Sequence, residues 1–154
     1  MKYVRRVLQP DETIVYTSRL HWLIYLPAFF VLLVALGFLV VSAKVQPGEF
    51  EYVLKGVAAV MAALAVVSWL RALVRQLTTE LAVTDRRIIY KTGLLARHTI
   101  EMNRSKVQSI DVDQSIFGRL FGYGTIVVRG TGGSLEPIRM ISRPIAFRSH
   151  ITAV

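Results

Sequence analysis

Few residues in this chain have both the type and the spacing that covalent chemistry needs. Cysteine is absent, which removes thiolate nucleophiles, thiolate metal sites and disulfides together. His21, His98 and His150 stand far apart, with no i, i+4 pair to seat a metal on a helix face. Asp111 and Asp113 are two residues apart; on a strand they share a face and could hold a cation or act as acid and base, and a solvated strand end has the same spacing. Glycines gather at positions 118, 122, 124, 130, 132 and 133. No third glycine completes G-x-G-x-x-G after Gly122 and Gly124, and no Gly-Lys-Ser/Thr follows, so turns and a helix stop account for them better than a phosphate cradle. With no nucleophile elbow and no Ser/His/Asp order, the residues read as a non-enzyme without metal or cofactor.

Charge is the stronger signal. Lys and Arg number 19 against 10 Asp and Glu, a net charge of +9, which favours anionic partners: lipid head groups, nucleic acid or an acidic protein face. From Gln76 onward, eleven basic residues meet six acidic ones. A domain with that surplus close under an anionic leaflet is drawn to it, each basic residue near the surface contributing about 1 kcal/mol. Arg71, Arg75, Arg86 and Arg87 are the candidate lipid contacts, being nearest in sequence to the apolar runs described below; positive-inside insertion places arginines there as well. The basic residues are dispersed and lack a stacking platform, which argues against nucleic acid. A candidate partner-docking surface comprises Phe117, Arg119, Phe121, Tyr123 and Arg129, where a strand edge or a helix-barrel groove would engage a membrane protein or a second copy.

These residues hang on a chain that is 53% apolar and 19% charged, too apolar for an ordinary soluble domain. Trp22 to Val41 is twenty residues without a charge, fourteen of them Leu, Ile, Phe or Val. At 1.5 Å per residue this run covers the roughly 30 Å hydrocarbon core, and it predicts a first transmembrane helix over 22–43. A weaker run predicts a second over 52–72, with an external turn at 44–51 and a segment 1–21 ahead of both. The first run is too long, and begins too far into the chain, for a cleaved signal. Arginines before the first helix and after the second put both termini in the cytoplasm. Ala28 and Ala35 on the first helix and Ala58, Ala62 and Ala65 on the second are the candidate packing positions, because small residues let helices approach where lipid offers no hydrophobic drive.

From residue 76 to 154 the apolar residues come in short alternating runs broken by Gly, Asn, Asp and Ser, which predicts β-strands. Thr79–Thr84, Arg86–Gly93, Leu94–Met102 and Lys106–Asp113 read as four strands in meander order. Thr125–Gly130 and Leu135–Ile141 read as a hairpin around Thr131-Gly132-Gly133-Ser134, with Pro137 marking the last strand as an edge. Between them, Gln114–Gly124 shifts to a helical period. Asp113 or Ser115 is its N-cap, and Gly122 stands just past its end. Pro144 opens a final helix whose stripe is Phe147, Ile151 and Val154.

The order of a hydrophobic hairpin, then AVTDRRIIYKTGLLARHTIEM, then KVQSIDVDQSIFGRLFGYGTIVVRGTGG, then a Pro-led helix resembles the bacterial pleckstrin-homology-like proteins of the membrane-flanked domain family. The run VDQSIFGRLFGYGTIVVRGTGG is its most specific part, and the likeness covers nearly the whole chain. It implies a mainly-β PH-like barrel or roll capped by a C-terminal helix and attached to the bacterial cytoplasmic membrane. That superfamily covers lipid binders, peptide binders and scaffolds alike, so it implies no ligand. The expectation is a non-catalytic docking or assembly module for membrane-associated proteins, with recognition of anionic phospholipid head groups as the alternative.

Overall fold

The computed structural model describes residues 2–94, 98–131, 133–134 and 137–152. The chain forms two compact units, Trp22–Val74 and the combination of Met1–His21 with Arg75–Val154. Parts of four expected features, at 95–97, 132, 135–136 and 153–154, lie outside the described residues: the strands from Leu94 and Leu135, the turn between the last two strands, and Val154 of the final stripe.

In the first unit a 3₁₀ turn, Trp22–Tyr25, leads into helix α2, Leu26–Ser42, with Pro27 in its first turn. Helix α3 spans Glu49–Thr78. Both helices are long and apolar enough to cross a membrane, and only 11% and 17% of their apolar windows are buried within the protein, unlike core helices of a soluble domain. The second helix is longer at both ends than the 52–72 expected on sequence. Arg75 and Gln76 continue it past residue 72 because Leu, Arg and Gln there are good helix formers and no Gly or Pro stops them.

Large side chains in this unit point outward: Phe29, Phe30, Leu36 and Val40 on α2 and Val60, Val67 and Leu70 on α3 are exposed. Apart from Leu23 and Leu54, the buried positions are small residues at heptad spacing, Ala28, Ala35 and Ser42 on one helix and Ala58, Ala65 and Ala72 on the other. Ala28 and Ala65 wall one groove with Tyr25, Phe29, Leu32, Val66 and Trp69, so a small residue from each stripe lines the space between the helices. Ala62 is only half-buried, because the heptad step from Ala58 lands on Ala65.

The second unit is built from two antiparallel sheets. Strands β1 (Ile14–Ser18), β2 (Glu80–Thr84), β3 (Arg87–Thr92) and β4 (His98–Asn103) form one in the order β1-β2-β3-β4. In the other, β5 (Val107–Asp113) pairs one side of β6 (Tyr123–Gly130), and β7 (Gly133–Ser134) and β8 (Ile138–Ser142) pair the other side. The expected meander breaks at its fourth strand: a 3₁₀ turn over Arg104–Lys106 turns the chain out of the first sheet, and β5 starts the second. The expected barrel is therefore not closed. On the other flank the chain beyond β1 crosses between the sheets through the Leu20–Ile141 bridge. The Ser142 amide also donates to the Arg19 carbonyl at 3.0 Å.

Leu81, Val83, Ile88, Ile126, Val128, Ile138 and Ile141 fill the space between the sheets, joined by Phe147 and Ile151 of helix α5, Pro144–Thr152. Pro144 opens this helix and Arg104 closes it, donating to the carbonyls of His150 and Ile151 at 3.1 and 2.8 Å. A cation there satisfies carbonyls that have no partner within the helix.

The segment 1–21, set apart from the domain on sequence, belongs to it. β1 is an edge strand of the first sheet. Helix α1, Lys2–Val7, covers that sheet's outer face by packing Val4 against Ala82 and Ile89. Every residue of β2 is consequently buried. The Glu80 carboxylate accepts hydrogen bonds from the amides of Tyr3 and Val4. Burial pushes the Glu80 carboxyl up, but the Val4 and Tyr3 amides outweigh it and hold the group below its ordinary range.

Candidate functional site

The motif from Gln114 to Gly124 folds into helix α4, Ile116–Phe121. Each of its unusual residues has a local task. Ser115 is the N-cap, its oxygen accepting the Gly118 amide at 3.0 Å. Gly122 ends the helix in the left-handed conformation, φ 74°. The Gln114 carboxamide donates to the carbonyls of Gly118 and Tyr123 at 3.3 and 2.9 Å, clamping helix to strand. Gly118 is the helix's buried side, and a Cβ there would stand 2.7 Å from the Tyr123 carbonyl oxygen.

Because glycine, and no hydrophobe, faces the domain, the large apolar residues of α4 are left outside. Ile116 is 85% exposed, Phe117 66%, Leu120 75% and Phe121 48%. Four such side chains on six residues form an apolar ridge that a soluble surface does not explain.

The ridge lies at the end of the domain where the chain passes between the two units. The Phe121 carbonyl accepts a hydrogen bond from the His21 ring, whose centroid lies 5.5 Å from that of the Tyr123 ring. The next residue, Trp22, opens the apolar unit. Burial of the His21 ring pushes its pKa below the ordinary histidine value, against the opposing pull of the Phe121 hydrogen bond. The return passage is at the same end: the Gln76 carboxamide donates to the Leu20 carbonyl at 3.4 Å. Backbone strain gathers here too, with Met140 and Arg143 at φ 62° and 52°, conformations that L-residues seldom adopt. Their backbones are held by the His21 amide on the Met140 carbonyl and by the Gly122 carbonyl accepting the Arg143 amide.

The expected docking residues do not form one surface. Phe117, Arg119 and Phe121 are exposed together on α4, with Tyr123 half-buried beside them. Arg129 lies six residues further along β6, about 20 Å at 3.3 Å per residue, exposed and paired with Asp111 at 2.8 Å.

The expected lipid contacts separate as well. Arg71 and Arg75 are exposed on α3. Arg86 is exposed at the β2–β3 turn, which the five residues of β2 carry about 17 Å from Thr79, so nearness in sequence does not become nearness in space. Arg87 is not a surface cation at all. Its guanidinium makes a bidentate pair with Glu12 at 2.9 and 2.8 Å and also donates to Glu101 at 2.6 Å and the Val7 carbonyl at 2.8 Å. The Glu12 side chain is fully enclosed and also accepts from the Thr84 hydroxyl and the Gln9 amide. The Arg87 hydrogen bonds hold the Glu12 carboxyl down at about 2, against the upward push of burial. This cluster fastens the N-terminal segment to the sheet, 75 residues along the chain. Nothing in the spacing of Glu12, Glu80 and Arg87 announces it; the one legible hint is the β-branched and aromatic run Thr13–Thr17, a strand pattern.

The chain belongs to the bacterial PH domain family, which matches residues 22–153, the apolar hairpin included. No curated protein and no solved structure matches it. Membership defines a PH-like module of a kind that is typically non-catalytic.

Proposed function

We propose that the chain is a non-catalytic protein of the bacterial cytoplasmic membrane. Its apolar hairpin spans the bilayer with both chain ends on the cytoplasmic side, and its PH-like domain is a docking or assembly platform for membrane-associated proteins. The observation that carries this reading is the pairing of the two passages between units: His21 immediately precedes the apolar unit, and Gln76 is hydrogen-bonded to Leu20 beside it. A domain held by two adjacent strings has one end at the membrane. The opposite end, with Arg129, is the one a cytoplasmic partner can reach.

A photoreactive residue at Arg129 in intact cells tests the platform. The reading predicts a discrete membrane-associated protein, or a second copy, crosslinked in proportion to expression of the chain. Only diffuse adducts, or none, contradict it. Anionic head groups remain the second reading for Arg71 and Arg75 alone, which stay exposed on α3 where Arg87 is consumed.

A further inference from the structure

We propose that α4 is a bilayer contact: Ile116, Phe117, Leu120 and Phe121 are immersed in the interfacial layer of the same membrane that takes the hairpin. This rests on the membrane reading above and adds a third point of attachment to the two chain passages.

The exposure of the ridge is built in. Gly118 packs backbone against backbone at the only face α4 turns to the domain, and Gln114 and Ser115 lock the helix in that attitude. The ridge therefore cannot roll inward to hide from water. The His21 hydrogen bond to the Phe121 carbonyl ties the ridge to the residue that precedes the apolar unit. One residue on is Trp22, itself 59% exposed, an aromatic of the kind that sits at the head-group level.

The surrounding charge selects lipid over a hydrophobic protein groove. Arg119 on α4 and Arg143, whose amide holds the Gly122 carbonyl, are exposed, as is Arg19, whose carbonyl accepts the Ser142 amide. From Gln114 to Gly124 there is no acidic residue, and Asp113 just before is the nearest carboxylate along the chain. An apolar wedge with Arg119 on its own helix and Arg143 bonded through its amide to Gly122 matches an anionic leaflet, acyl chains below and phosphates beside them. All four wedge residues are large and two of them are aromatic, the composition that partitions into the head-group boundary.

The chain has no cysteine, so single nitroxide labels can be placed without background. The full-length protein carrying Leu120→Cys, Leu36→Cys or Arg129→Cys is reconstituted into vesicles of phosphatidylethanolamine and phosphatidylglycerol. Relaxation by oxygen, which concentrates in lipid, is compared with relaxation by a water-soluble nickel chelate. The expected result is an oxygen-to-nickel ratio severalfold higher at Leu120 than at Arg129, approaching that at Leu36. A Leu120 label relaxed by nickel as strongly as Arg129 means the ridge is in water and overturns the proposal. A Leu120 label shielded from both reagents means protein covers the ridge and overturns it equally. In both cases an oxygen-rich Leu36 shows that the hairpin reading survives. A nickel-exposed Leu36 sinks that reading and this proposal with it.

Discussion

Arg87→Ala lowers the stability of the PH-like domain by about 3–5 kcal/mol, the usual cost of removing one partner of an enclosed ion pair. The substitution leaves the Glu12 carboxylate, whose side chain is fully enclosed, with the Thr84 hydroxyl and the Gln9 amide for company. It also strips the Val7 carbonyl of its donor. The pH dependence follows from the sign of the Glu12 shift. Its folded pKa of about 2 lies below the ordinary 4.5, so the native state binds fewer protons than the unfolded chain in that window. The stabilisation is complete above pH 4.5 and is lost as pH falls through about 2, and at 1.36 kcal/mol per unit it is on the order of 3 kcal/mol. Urea titration of the full chain in detergent, read by amide exchange in β2 and β3, checks both points. Arg87→Ala should unfold at lower urea and lose the acid slope between pH 4.5 and 2. The double substitution Glu12→Leu with Arg87→Met should recover part of the loss, since no charge is then left stranded. An Arg87→Ala chain as stable as the parent would show that the N-terminal segment is not held this way.

Phe147→Ala has an effect of similar size for a different reason. The ring has no exposed surface, sits in the core between the two sheets, and meets Tyr16 edge-on at 6.2 Å between centroids. Truncation forfeits its transfer from water and leaves a cavity that two sheets and a helix can only partly close, a cost of about 3–5 kcal/mol. Because Tyr16 also stacks on His150 at 4.4 Å, α5 and β1 should loosen together, seen as faster exchange in both. A loss below about 1 kcal/mol would mean that α5 lies on the domain without closing it.

What could be read from the sequence was local. The two apolar runs declare themselves by length and composition. α4 does so by a cap, a period and a terminal glycine within nine residues, and its Ser115 and Gly122 ends fall where expected. The final helix follows from Pro144 in the same way. What could not be read is set by pairing across long separations. β1 joins β2 over more than sixty intervening residues, and Glu12 meets Arg87 across 75. No period or turn encodes either. A domain cut at Gln76 would accordingly lack an edge strand, α1 and the partner of Arg87. The division into two sheets turns on a three-residue 3₁₀ turn at Arg104, too short a signal to separate from an ordinary hairpin.

The four lipid candidates separate for a related reason. Arg86 and Arg87 are near the apolar helix in sequence, but an extended strand moves the chain more than twice as far per residue as a helix does. Arg119 and Arg143, distant in sequence, lie at the chain passages by way of α4 and its contacts with His21 and Gly122. The α4 ridge itself was legible as composition and illegible as exposure, because only the clash at Gly118 decides which side of the helix faces the domain.

The proposed function and the α4 contact both depend on the hairpin crossing the membrane and returning. Single cysteines at Gln46, in the turn between α2 and α3, and at Thr92, at the end of β3, test this in intact cells with a membrane-impermeant maleimide. The expected result is that Gln46 labels from outside and Thr92 labels only after permeabilisation. Labelling of Thr92 in intact cells, or protection of Gln46 until the membrane is opened, would contradict the account.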